Sequence, residues 1–232
     1  MLEAACFARC LMRRVPEPEL MNGEAQAKAY AEADFAGPNS AFCHYVEERA
    51  PGVPREGRVV DLGCGPGDIV LRLAHAHPGW RLDGLDGAPA MLEHARAAQA
   101  LSGIGKRVRW LCARLPGAEV RAMAYDLVIS NSLLHHLPEP GILWDAVKRL
   151  GKPGARVVVM DLARPESEQR AWELVETYSG QEPTLLKTDF YHSLCAAYRP
   201  EEVRAGLVAA GLGCLRVEMV SDRHWLVTGS IG

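Results

Sequence analysis

The sequence predicts an α/β fold, a mostly parallel sheet with helices on both faces and its last strand antiparallel. Three observations predict it. Between Arg58 and Asp161, short apolar runs alternate with helix-length segments, the pattern of right-handed crossovers on a parallel sheet. A glycine-rich turn, "VVDLGCGPGD" at residues 59–68, follows the first of these runs. The chain closes on "CLRVEMV" and "HWLVTG", separated only by "SDR", which suits an antiparallel hairpin.

The elements follow in order. "RVVDLG" reads as a buried strand and "DIVLRLAHAH" as a helix with Ile69, Val70, Leu73 and Ala74 on one side. "RLDGLD" is a second strand, followed by the helix "APAMLEHARAAQAL". "RVRWLC" and "YDLVISN" are the third and fourth strands. The helix "PGILWDAVKRL" stops at Gly151 and Pro153, before a fifth strand, "ARVVVMDL". Residues 22–50 read as two helices broken at Gly37–Asn39, and residues 165–199 as helical and loop-like. A last helix, "PEEVRAGLVAAG", precedes the hairpin. Residues 1–21 read as a disordered or adventitious extension, with Met21 an alternative start, and residues 22–232 as a single domain.

Composition narrows the function. A chain of 232 residues, 48% hydrophobic and 24% charged, can bury a full core. A net charge of −3 without a long Lys/Arg run gives no basic field for nucleic acid or anionic membrane. No apolar run approaches the roughly 20 residues that cross a bilayer. The seven cysteines are odd in number and lack metal-type spacing. They suit a reducing, cytoplasmic compartment, and no metal ligand is expected among them.

The glycine turn carries the chemistry. Gly63, Gly65 and Gly67 follow a strand and open a helix, where an open α/β sheet binds ligands. The second strand ends at Asp86, an acid placed to accept two hydrogen bonds from a ribose diol. A nicotinamide fingerprint, G-x-G-x-x-G, would need glycine at position 68, which is Asp68. An acid at a helix start also repels a pyrophosphate. The pattern therefore favours a nucleoside without phosphates.

The stretches "VVDLGCGPGD", "GLDGAPAML" and "YDLVISNSLLHHLPEP" resemble the class I S-adenosylmethionine-dependent methyltransferases, in particular the small-molecule branch that includes the ubiquinone and menaquinone biosynthesis enzymes. The resemblance covers roughly residues 55–165. It implies a Rossmann-like, seven-stranded sheet with the last strand antiparallel, helices on both faces and helical lid segments at 22–50 and 165–199. It implies S-adenosylmethionine as cofactor, held by the positions matching Asp61, Gly63, Cys64 and Gly65 in the glycine loop. Asp86 would take the ribose, and Gly87 and Met91 the adenine. Ser130 and Asn131 would supply backbone contacts to the methionine amino group. Relatives commonly end the third strand in Gly-Asp-Ala, whereas this chain has Cys112, Ala113 and Arg114. The adenine amino group would then rely on backbone near Ala113 and Arg114.

The resemblance further implies in-line transfer of a methyl group to a small, apolar or ring-containing acceptor. His135 and His136 follow the fourth strand and are the candidates for a catalytic base, or else they pack the loop. Nine of the fifteen Phe, Tyr and Trp residues lie in 22–50 and 166–200. Tyr30, Phe35, Tyr178 and Tyr191 either line an acceptor pocket there or fasten the helices to the sheet. Arg164 either orients a polar group of the acceptor or forms a structural ion pair. The expected partner is a small-molecule methyl acceptor, with a homodimer left open. The alternative reading is a catalytically silent, cofactor-binding subunit, supported by the missing adenine acid.

Overall fold

The computed structural model describes residues 11–17, 36–115, 120 and 122–232. From the amino end, the elements are α1 (Ala36–Arg49), β1 (Arg58–Leu62), α2 (Asp68–Ala76), β2 (Arg81–Asp86), α3 (Pro89–Ser102) and β3 (Val108–Cys112). They continue with β4 (Tyr125–Asn131), α4 (Gly141–Leu150), β5 (Gly151–Leu162), α5 (Glu168–Ser179), α6 (Thr184–Ala196) and α7 (Pro200–Ala209). The hairpin of β6 (Arg216–Met219) and β7 (His224–Ser230) closes the chain.

The seven strands form one sheet in the order β3-β2-β1-β4-β5-β7-β6. Strands β1 to β5 are mutually parallel, and β7 runs antiparallel to both β5 and β6. This is the architecture the alternation predicts. The order reverses between β1 and β4, which opens a crevice beyond their carboxyl ends.

Two apolar layers hold the sheet, and the strands feed them at a period of two. Val60, Leu62, Val128, Val157 and Val159 face one layer, with Trp144 of α4 and Leu207 of α7. Val59, Leu127, Ile129, Val158 and Met160 face the other, with Phe42 of α1 and Leu73 of α2. Alternating burial on both faces is why these strands read as continuous apolar runs. One buried charge, Asp83, is paired by Arg109 Nε and Nη2 at 2.7 and 2.6 Å and by the Tyr125 hydroxyl at 2.7 Å.

Helix ends follow their local chemistry. Pro89 and Pro200 sit in the first turns of α3 and α7, where no backbone N–H is needed. Ser167 caps α5 by accepting the Arg170 amide. The expected break at Gly37–Asn39 is absent: these residues form the first turn of α1. A proline at that position removes no helical hydrogen bond. The expected preceding helix, with Tyr30 and Phe35, lies outside the described residues. Among the described residues, no helix is long and apolar enough to cross a membrane.

Residues 11–17 belong to the stretch the sequence assigns to an extension outside the domain. They lie along the carboxyl-end side of the sheet. Met12 and Val15 amides donate to Glu166 and Cys195 carbonyls at 3.1 and 3.0 Å. The Arg14 guanidinium donates to the carbonyls of Ala196, Leu137 and His135 at 2.6, 2.8 and 3.1 Å.

Candidate active site

The glycine loop is folded back onto the end of β2. Gly63 and Cys64 amides both donate to the Leu85 carbonyl, at 2.8 and 3.0 Å. Gly63, Gly65 and Gly67 have φ of 73°, 52° and 86°, the left-handed region that favours glycine. Their surroundings differ. A Cβ on Gly63 would come within 2.8 Å of Leu133, and one on Gly67 within 2.5 Å of Trp110. Those two glycines allow close packing. A Cβ on Gly65 would meet nothing within 4 Å. Gly65 leaves backbone bare toward a cleft of about 1040 Å³, its open mouth included.

Asp86 ties the loop to the rest of the cleft. Its Oδ2 accepts the Gly65 amide and its Oδ1 the Ala88 amide, both at 2.8 Å. Burial pushes its carboxyl above the usual range, against the pull of the Ala88, Gly65 and Gly87 amides. At the start of α2, Asp68 accepts from Arg72 Nε at 2.6 Å and from Asn39 Nδ2 at 2.9 Å. The acid that the sequence sets against a phosphate is therefore held in place by a cation and an amide.

The cleft brings together most of the residues singled out from the sequence. Gly63, Cys64, Gly65, Asp86, Gly87 and Met91 line it. Ala113 and Arg114, after β3, bound it at one flank, and Asn131 and His136, at and after the end of β4, at the other. Asn131 Oδ1 is buried with no hydrogen-bond partner among the described residues. Ser130 and Asp61 are not among the lining residues. Ser130 is fully buried and its hydroxyl donates to the Leu62 carbonyl at 2.8 Å. Asp61 is 2% exposed, with Oδ1 unpartnered among the described residues.

The Asp61 environment makes a prediction. Burial, and then the nearby Asp86 charge, hold its carboxyl well above the ordinary 3.8. A folded-state pKa above the unfolded one gives stability that is present in acid and is lost as pH rises through the folded value. Asp61→Asn is therefore expected to raise the melting temperature at neutral pH, with a smaller gain in acid. Calorimetry at several pH values checks this, and a loss of stability at neutral pH would contradict it.

Of the two readings open for Arg164, Tyr178 and Tyr191, the structure shows a structural partner for each. Arg164 is 6% exposed and does not line the cleft. Its guanidinium bonds the Met12 and Ala197 carbonyls and Glu202, the last at 2.6 Å. Tyr178 is 45% exposed, with its hydroxyl on Asp222 and Arg223 stacked 3.2 Å above its ring. Tyr191 stacks on Trp172 at 4.3 Å. These rings fasten α5, α6 and the β6–β7 turn to one another, because each finds a partner on the neighbouring element. Leu115, Leu133 and Leu137 are among the apolar residues that line the cleft.

His135 and His136 form a short 3-10 turn with Leu134 after β4. The two rings do different things. His135 is 3% exposed; its Nδ1 lies 2.5 Å from Asp161 Oδ1, and its amide donates to Asp161 Oδ2 at 3.1 Å. Burial would lower the pKa of this imidazole, but the facing Asp161 carboxylate outweighs it and raises it. His136 alone of the pair lines the cleft.

Two contributors escape sequence reasoning. Asn39 lines the cleft from α1. Glu17 places Oε1 3.2 Å from His136 Nδ1 and 3.5 Å from His135 Nε2. Neither carries a local signal, because each reaches its partner only through the fold.

Residues 60–157 match a sequence family described as a methyltransferase domain. Over that stretch the chain is similar to methyltransferase domains. It is similar to a trans-aconitate 2-methyltransferase of Streptomyces avermitilis, 37% identical over 91 residues, 39% of this chain and 34% of that protein. It is also similar to a ubiquinone biosynthesis O-methyltransferase of Pseudomonas aeruginosa, 32% identical over 54% of this chain and 52% of that protein. The chain thus spans about a third to a half of the length of these two relatives. The crystal structure of a SAM-dependent methyltransferase from Aquifex aeolicus superposes with a TM-score of 0.64 at 18% identity, covering 90% of this chain and 99% of that one. The fold is the one seen in that structure, and the cleft lies at the β1/β4 switch point of the sheet.

Proposed function

We propose that the chain binds S-adenosylmethionine in this cleft and transfers its methyl group in line to a small, largely apolar molecule. The observation that carries the reading is Asp86, whose carboxylate joins the bare Gly65 backbone to the end of β2. The residues fit the cofactor. Each Asp86 oxygen accepts one amide and retains a lone pair for a ribose hydroxyl. The unpartnered Asn131 Oδ1 offers an acceptor to an ammonium group. An acid at the start of α2 suits a ligand without phosphates.

The sulfonium of S-adenosylmethionine supplies an activated methyl group. The chain's own part is to align the acceptor and to exclude water, worth roughly 7–11 kcal/mol when positioning is good. Leu115, Leu133 and Leu137 line the cleft, and this apolar surface supports a small apolar or ring-containing substrate. His136, which also lines the cleft, is the group placed to accept a proton from an oxygen or carbon acceptor. The free cysteines among the described residues support a reducing, cytoplasmic setting.

The test is turnover. Isotopically labelled S-adenosylmethionine incubated with a metabolite extract is expected to give S-adenosylhomocysteine and one product that gains the label. Absence of both would leave a silent binding subunit. A second result is expected at Gly65. Gly65→Val adds bulk where the protein offers no neighbour, so S-adenosylhomocysteine should bind at least about tenfold more weakly, ~1.4 kcal/mol. Folding should survive, at a left-handed penalty of roughly 1–2 kcal/mol. Unchanged affinity would move the ligand off the loop.

A further inference from the structure

We infer that Glu17, His135 and His136 form a binding site for a divalent transition-metal ion on the wall of the cleft. The donors come from two segments more than a hundred residues apart in sequence, Glu17 from one and the adjacent His135 and His136 from the other. Glu17 Oε1 lies 3.5 Å from His135 Nε2 and 3.2 Å from His136 Nδ1. All three ligand atoms lie within 4.8 Å of one another. Ligands held about 2.0–2.2 Å from one ion, at tetrahedral to octahedral angles, stand about 3.0–3.5 Å apart. Both distances from Glu17 fall in or at the edge of that range, so a modest closure of the two rings completes the set.

The surroundings are those of a built site. His135 presents Nε2 to Glu17 because Asp161 engages Nδ1 at 2.5 Å and the backbone amide at 3.1 Å. A carboxylate on the far nitrogen of a ligating imidazole fixes its tautomer and orientation. Asp161 is itself buried, 1% exposed, and Oδ1 also takes the Leu162 amide at 2.6 Å. Ser193 Oγ donates to Glu17 Oε1 at 3.1 Å. The Arg14 guanidinium, bonded to the His135 carbonyl, holds the turn from behind.

The donor set selects the ion. Two imidazoles and one carboxylate suit zinc, iron(II) or cobalt(II) and disfavour magnesium and calcium, which take oxygen ligands. Three protein ligands also leave coordination positions open, the feature of catalytic rather than structural metal sites. Glu17 and Asp161 balance the dication, against the opposing charge of Arg14. His136 lines the cleft as well as the cluster. With Nδ1 on the ion its ring no longer serves as a base; a role for the ion in holding an oxygen of the acceptor replaces that one and rests on the methyl-transfer reading. Metal binding itself does not.

The experiment titrates the full chain, stripped with chelator, with cobalt(II) and then zinc, reading visible absorption and heat. Wild-type protein is expected to bind one ion, with visible bands of nitrogen and oxygen ligation and no near-ultraviolet thiolate band. Glu17→Gln and His136→Ala should each weaken binding at least about tenfold, and Asp161→Asn about 10- to 100-fold through the orientation of His135. S-adenosylhomocysteine affinity, measured in parallel, should survive Glu17→Gln, so failure of the metal site and failure of the cofactor reading are separate results. Absence of metal binding, a thiolate band, or unchanged affinity in Glu17→Gln would overturn the proposal. The cluster would then be a metal-free triad sharing protons.

Discussion

Asp86→Ala is expected to weaken binding of S-adenosylhomocysteine by about 10²-fold or more. The effect has two sources. The ribose loses an ionised acceptor, and hydrogen bonds to charged groups contribute about 1.5–3 kcal/mol each. The loop loses its anchor as well, because the Gly65 and Ala88 amides both end on this carboxylate. Asp86→Asn keeps one oxygen acceptor, and its loss should fall between wild type and alanine. Titration calorimetry measures all three proteins. Because burial raises the Asp86 pKa, removing the carboxyl also relieves a desolvation penalty, so the melting temperature should fall less than the affinity. An alanine variant that binds as wild type would contradict the assignment.

Trp225→Ala is expected to cost roughly 3–5 kcal/mol of stability, the range for emptying a buried tryptophan site, and to lower the melting temperature by about 10 °C. Trp225 is fully buried in β7, between β5 and β6, and belongs to the core layer that contains Trp144 and Tyr198. Its indole N–H donates to the Tyr198 carbonyl at 3.1 Å. The Tyr198 hydroxyl in turn donates to the Leu137 and Pro138 carbonyls at 3.1 and 3.0 Å. Loss of Trp225 therefore loosens the loop that presents His136, as well as the core. Trp225→Phe keeps most of the volume and leaves the Tyr198 carbonyl without its donor, an expected cost of about 1–3 kcal/mol. Exposed Val208, replaced by alanine, should change stability by no more than about 0.5 kcal/mol. A Trp225→Ala protein as stable as the Val208 control would contradict this account of the core.

The sheet was legible because its strands are buried on both faces and its turns are written in glycine. Gly63 to Gly67 and Asp86 are close in sequence to the elements that position them, so their spacing alone indicates a nucleoside site. The helix start at Ala36 was missed because Gly37 and Pro38 read as a break, although a first turn tolerates both. Ser130 and Asp61 fall near the strand ends beside the cleft, but both side chains are buried and neither lines it, which spacing in the sequence does not reveal. For Tyr178, Tyr191 and Arg164 the sequence leaves two readings open, the acceptor or a structural partner, because a concentration of aromatic residues does not give their directions. Each proves to have a partner on a neighbouring helix or turn. Glu17 illustrates the limit most clearly. Nothing in "VPEPEL" announces that its first acid meets two histidines more than a hundred residues away; only the path of residues 11–17 brings them together.

A crystal structure of the protein with S-adenosylhomocysteine tests the central claim most directly. Electron density is expected over Gly63, Cys64 and Gly65, with both ribose hydroxyls within hydrogen-bond reach of Asp86 and the amino group facing Asn131. Density in another place, or a ribose that does not touch Asp86, would contradict the account.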